Sequence, residues 1–166
     1  MASGLFRLVY VSTARPELVD EDIEAILNAS QSNNEERYIT GYLVHNGMNF
    51  MQLIEGPRAE IDEIFSRIVT DPRHTGVVRI LAEWCRERAF PQWSMNYFRV
   101  DRHGSVGSMI VRRDDPIDSL MAADAPRDLI YLFSKFIRQT EYDEPQDQAS
   151  SPAGRASSRS QQDPRE

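Results

Sequence analysis

Residues 39–57 read ITGYLVHNGMNFMQLIEGP. Two β-branched and aromatic runs, Ile39 to His45 and Asn49 to Glu55, flank Asn46-Gly47, a pair suited to the positive φ angles of a tight turn. The stretch predicts a β-hairpin, closed by the Gly56-Pro57 break. Upstream, Leu5 to Ser12 (LFRLVYVS) is a nearly continuous apolar run, expected of a central strand buried on both faces. On that strand Tyr10 shares a face with Phe6, Leu8 and Ser12.

Between these strands, Ile23, Ile26, Leu27 and Ser30 recur at helical spacing from Asp20. Glu21, Asp22 and Glu24 stand where the helix dipole favours acids. After Pro57, Ile61, Ile64, Phe65 and Ile68 mark a second amphipathic helix, which Pro72 stops. Val77 to Trp84 and Ser94 to Val100 read as two further strands. The order βαββαββ is that of an α+β, ferredoxin-like sheet with both helices on one face, and a crevice between the helices follows. Further on, Leu129, Leu132, Phe133, Phe136 and Ile137 form a helical stripe that must cover either the bare sheet face or a second protomer.

The predicted domains are 1–100 for the α+β unit, 101–141 for a C-terminal helical cap or coupling segment, and 142–166 for a disordered tail. The tail's Ser, Pro, Gln and Arg mixture has no apolar periodicity to offset the entropy of ordering.

Composition narrows the chemistry. The 166 residues carry a formal charge of −7, which argues against nucleic acid as a partner because phosphate backbones are held by dense basic patches. One cysteine and three scattered histidines suggest no disulfide framework and no metal. No apolar run reaches the roughly 20 residues of a membrane span, so no membrane partner and a cytoplasmic location are expected. Lys135 is the single lysine; strong cation sites are therefore arginine forks, which suit phosphate. Neither a Ser-His-Asp arrangement nor a nucleotide-binding glycine loop is found, and no enzyme is expected.

Some residues depart from the core pattern. Gln52 falls between Phe50 and Ile54 on one strand face, where alternation calls for an apolar side chain. A buried amide left unpaired costs about 1–3 kcal/mol, so it needs a partner: backbone, a tyrosine, or a ligand. Tyr10 is in reach if the first and third strands are neighbours. Asn33-Asn34, read as following the first helix, exceeds what one helix cap needs and offers donors and acceptors to a planar imide. Arg67, Asp71, Arg73 and His74 form either a solvated face with local ion pairs or a phosphate-holding group. Trp93 and Met95, in QWSM, read as ordinary strand residues.

Taken together, LVYVS, NNEERYITGYLVHNGMNFMQLIEGP, FSRIVTDPRHTGV and FPQWSM resemble the BLUF family of flavin-binding blue-light sensors, from about Leu5 to Tyr97. The resemblance implies a flavin, usually FAD with FMN or riboflavin as alternatives, held non-covalently between the helices and flanked by Ile26 and Ile68. It implies that Asn33 and Asn34 contact the flavin's polar edge and that Gln52 bridges Tyr10 and the N5/O4 edge. Arg67, Asp71 and His74 then lie near the ribityl and phosphate end. By the same resemblance Tyr10 lends an electron and a proton to the excited flavin and takes them back. The Gln52 amide is left rotated or tautomerised, and flavin absorption shifts to longer wavelength. Trp93 and Met95 match the family's signalling positions near the last strand. With no output domain read after Val100, the chain resembles the short single-domain type, which implies a separate downstream protein and a homodimer or higher oligomer. The competing readings are a cofactor-free ferredoxin-like interaction or regulatory module, and a flavin or nucleotide enzyme using the same crevice.

Overall fold

The computed structural model describes residues 4–91, 96–100, 110–111 and 125–138. Within them, β1 (Leu5–Ala14) is followed by α1 (Asp20–Glu36), then β2 (Thr40–His45), β3 (Asn49–Pro57), α2 (Arg58–Thr70) and β4 (His74–Cys85). Beyond these come β5 (Asn96–Val100), β6 (Ile110–Val111) and α3 (Arg127–Arg138). The strands lie in the order β4-β1-β3-β2-β5-β6. The first four are mutually antiparallel, as the ferredoxin-like reading requires. β5 adds to β2 in parallel and β6 to β5, also in parallel.

The hairpin forms where expected, with a different division of labour in its turn. Gly47 takes a positive φ of 96°, whereas Asn46 works through its side chain: Oδ1 accepts from the amides of Met48 (3.2 Å) and Asn49 (2.8 Å). This is the Asx geometry, in which a short carbonyl side chain replaces a backbone acceptor.

α1 runs further than the spacing suggested. Asn33 and Asn34 lie within its last turns rather than after it, and Asn33 Nδ2 donates to Ala29 O at 2.7 Å, the i−4 carbonyl. The chain leaves the helix at Tyr38, which adopts the left-handed φ of 55°. At the other end, the Asp22 carboxylate accepts from the Val19 amide at 3.2 Å, the reciprocal half of a capping box. β4 starts at His74, three residues earlier than expected, because the strand pairs with Ala14 from its first residue. A bulge between Val9 and Tyr10 on the β1–β4 ladder re-aims this edge strand.

Strand alternation divides the core in two. Phe6, Leu8, Tyr10, Leu43, Phe50 and Ile54 meet Ile23 and Ile61 beneath α1 and α2. Val9, Tyr42, Val44, Met51 and Leu53 face the other way, against Ala89, Phe90 and the α3 residues Leu129, Phe133, Phe136 and Ile137. The α3 stripe therefore covers this chain's own sheet. Phe133 meets Tyr42 edge to face at 5.7 Å, and Tyr42 stacks on Phe90 at 4.6 Å.

Candidate functional site

β1 and β3 are neighbours in the register that sets Tyr10 directly opposite Gln52, with Leu43 of β2 on the other side of Gln52. Both polar side chains turn to the helix face and are buried. The Tyr10 hydroxyl donates to Gln52 Oε1 at 2.6 Å, a good length for an O–H···O bond. Burial pushes the phenol well above its ordinary pKa, and the Asp71 carboxylate acts in the same direction. Tyr10 is thus held as a neutral donor.

These two residues form part of the floor of a crevice of about 180 Å³ between α1 and α2. That exceeds the roughly 150 Å³ cavity known to admit one aromatic ring. Ile26 of α1 and Ile64 and Ile68 of α2 are among its walls, and Asn33 and Asn34 line it from the last turns of α1. Because β1 and β3 run in opposite directions, so do the helices that follow them. Arg37, just past α1, accordingly pairs with Glu60 (2.7 Å) and Glu63 (2.8 Å) near the start of α2. The amides therefore lie toward one end of the crevice. Arg67, Asp71, Arg73 and His74 line it from the other end of α2 and the start of β4.

The charged end is internally paired. Asp71 accepts from the Arg73 backbone amide at 2.9 Å and from its guanidinium, and the Arg73 hydrogen bonds hold the Asp71 carboxyl below the usual carboxylate range. Arg67, more than half exposed, pairs with Glu63 one turn back. His74 Nε2 is 2.8 Å from Ile68 O. A carbonyl only accepts, so this nitrogen carries a proton, while Nδ1 lies 2.7 Å from Ser12 Oγ, a hydroxyl that can donate or accept. The ring lies 6.2 Å from Tyr10 and 6.3 Å from Phe50, centroid to centroid.

The crevice thus gathers Tyr10, Ile26, Asn33, Asn34, Gln52, Arg67, Ile68, Asp71 and His74. Trp93 and Met95 lie outside the described residues. The lining also includes Ala29, Ser30, Leu43, Phe50 and Ile54, none of which sequence reasoning named as site residues. Their positions were readable: Ser30 and Asn33 stand four and seven residues after Ile26, while Phe50 and Ile54 share Gln52's strand face. The Ser12–His74 bond was not, since it joins residues 62 apart.

A family profile described as BLUF, sensors of blue light using FAD, matches residues 5–96. The chain belongs to the BLUF family. It is 32% identical over 99 residues to the blue light- and temperature-regulated antirepressor BluF of Escherichia coli, covering 60% of this chain and 25% of that protein. It is 34% identical over 92 residues to the photoactivated adenylate cyclase subunit beta of Euglena gracilis, covering 55% of this chain and 11% of that one. The BLUF chain therefore spans a quarter or less of these relatives. The dark-state structure of BlrB, a BLUF protein, is similar at a TM-score of 0.58 and 32% identity, over 84% of this chain and 96% of BlrB. Klebsiella pneumoniae BlrP1 with FMN and cyclic diGMP is similar at 0.64 and 27%, over 80% and 34%.

The crevice fits the family's flavin on its own chemistry. Branched apolar side chains from two facing helices suit the faces of a planar ring, the amides of buried Asn34 and Gln52 and of exposed Asn33 suit an imide edge, and arginines stand at the far end. Among the described residues, no group of His, Cys, Asp and Glu could hold a metal ion, and no helix is long and apolar enough to cross a membrane.

Proposed function

We propose that this chain is a blue-light photoreceptor that binds a flavin non-covalently in the α1–α2 crevice and signals to a separate protein without turning over a substrate. The observation that carries the reading is the 2.6 Å bond from Tyr10 to Gln52 on the crevice floor. FAD is the first choice of cofactor; FMN and riboflavin offer the same ring. Bound flavin supplies blue-light absorption and, once excited, an oxidant.

The residues do the rest. Ile26 and Ile68 clamp the ring faces and exclude water. Asn33 and Asn34 hold the imide edge, and Arg67, Asp71 and His74 stand near the ribityl and phosphate end. Tyr10 gives up an electron and its hydroxyl proton by way of the Gln52 amide, then recovers both. Gln52 changes which hydrogen bonds its two ends make, by rotation or tautomerisation, and that rearrangement outlasts the electron transfer. Light supplies the energy, so a few displaced hydrogen bonds suffice to bias a bistable element. That element is β5, which pairs Tyr97 with Leu43, the cross-strand neighbour of Gln52; Trp93 and Met95, just before it, carry the change outward.

Residues 1–100 carry the sensor and the segment 101–141 couples it to its partner; residues 142–166, read from the sequence as a tail, lie outside the described residues. The setting is the cytoplasm, and the chain assembles as a homodimer or higher oligomer. Gln52→Leu tests the core of this reading: flavin stays bound, and the light-induced red shift disappears. A full shift in that variant contradicts the role of the amide.

A further inference from the structure

Glu55 belongs to the Phe-x-Gln-x-x-Glu-Gly run of β3, yet neither the crevice nor the photochemistry uses it. Strand alternation turns it away from Gln52, to the α3 side, where its carboxylate is fully buried. Arg7, its direct partner across β1, donates to Oε2 through Nε at 2.9 Å. The other donors are backbone amides: Ala89 to Oε2 and Phe90 to Oε1, each at 2.9 Å.

Those amides belong to the connection from β4 to β5. In the sheet these strands are separated by β1, β3 and β2, so the connection must cross a face. Ala89 and Phe90, buried with Tyr42 and Phe133, put the crossing on the α3 side. Residues 86–91 are thus a strap, and its neighbouring polar groups are tied to the same place. Arg7 Nη2 donates to Glu87 O at 3.1 Å. Arg88 donates to Glu55 O at 2.7 Å and to Thr40 Oγ1 at 2.9 Å, and also to Tyr38 O.

We infer that Glu55 is a positioning residue for signal output: its buried carboxylate pins the 86–91 strap to the strand that carries Gln52, and the strap passes movement of that strand on to β5. This rests on Tyr10 and Gln52 being the photochemical pair. A carboxylate suits the task because its two oxygens take the guanidinium and both amides at once. A glutamine of the same shape offers one acceptor and sets an N–H donor against donors.

The test is hydrogen exchange on the flavin-bound full chain, in darkness and under blue light, with the visible spectrum recorded on the same samples. For Glu55→Gln, amides 89 and 90 exchange about tenfold faster or more in darkness, the scale of losing a bond to a charged acceptor. The red shift persists, because Gln52 faces the other side. The light-minus-dark difference that wild type has over 96–100 is lost. A support that only stabilises the fold predicts the faster dark exchange but leaves that difference in place.

Glu55→Asp is the second variant, should the first not fold. It keeps a charge beside Arg7 and withdraws the oxygens by about 1.5 Å, one carbon–carbon bond, and it gives a smaller loss over 96–100. Unchanged dark exchange at 89 and 90, or an unchanged light-minus-dark difference over 96–100, overturns the inference. A wild-type chain with no red shift defeats the photochemical reading and the coupling with it; exchange at 89 and 90 still decides whether Glu55 anchors the strap.

Discussion

Tyr10 and Gln52 are each ordinary until they are placed opposite one another. A buried tyrosine in a strand is most often a core residue with a satisfied hydroxyl, and the amide satisfies it here. Tyr10→Phe removes the electron donor and the hydroxyl while leaving the ring: the variant retains flavin and loses the reversible red shift, as light-minus-dark absorbance will record. The raised pKa of Tyr10 also sets an alkaline limit. A phenol whose folded value lies above its unfolded value of about 10 contributes stability that is complete below pH 10 and lost as pH rises toward the folded value. Tyr42, shifted the same way by burial, adds to this. Urea unfolding between pH 8 and 11 should show stability falling above about pH 10, with a shallower fall in Tyr10→Phe. At this scale the sequence exposed the anomaly, Gln52 in an apolar register. It left the partner open, because the cross-strand register that pairs residues 10 and 52 is a property of two strands together.

The elements were legible in proportion to how local their causes are. β1, the hairpin and α2 follow from a nearly continuous apolar run, from Asn46-Gly47, and from helical spacing stopped by Pro72. The extension of α1 through Asn33-Asn34 does not, because asparagine is a weak helix former whose usual place is a cap, and its side chain here bonds back to Ala29 O. The destination of α3 was equally closed to periodicity, since an apolar stripe says that something is covered and not what. The structure lays it on the α3-side cluster with Tyr42 and Phe90. Phe133 is fully buried there, so Phe133→Ala should cost about 3–5 kcal/mol in chemical denaturation while leaving the wavelength of the flavin band unchanged, the crevice being on the opposite face.

For the molecule, the division of labour between the two sheet faces is the main consequence. One face holds the crevice; the other holds the strap and α3, and β3 contributes Gln52 to the first and Glu55 to the second. Truncation separates the roles. Removing 142–166 should leave the thermal midpoint and the photocycle unchanged, whereas removing 126–166 uncovers Tyr42 and Phe90 and should lower the midpoint and expose apolar surface to a dye such as ANS. Equal behaviour of the two truncations would contradict the structural role given to α3. The central claim is tested most directly by the visible absorption spectrum of the purified full chain in darkness, immediately after blue light, and through dark recovery. A flavin band that moves to longer wavelength and returns without bleaching is the predicted result. A preparation that stays colourless after reconstitution with FAD, or a flavin band that light does not reversibly shift, would contradict it.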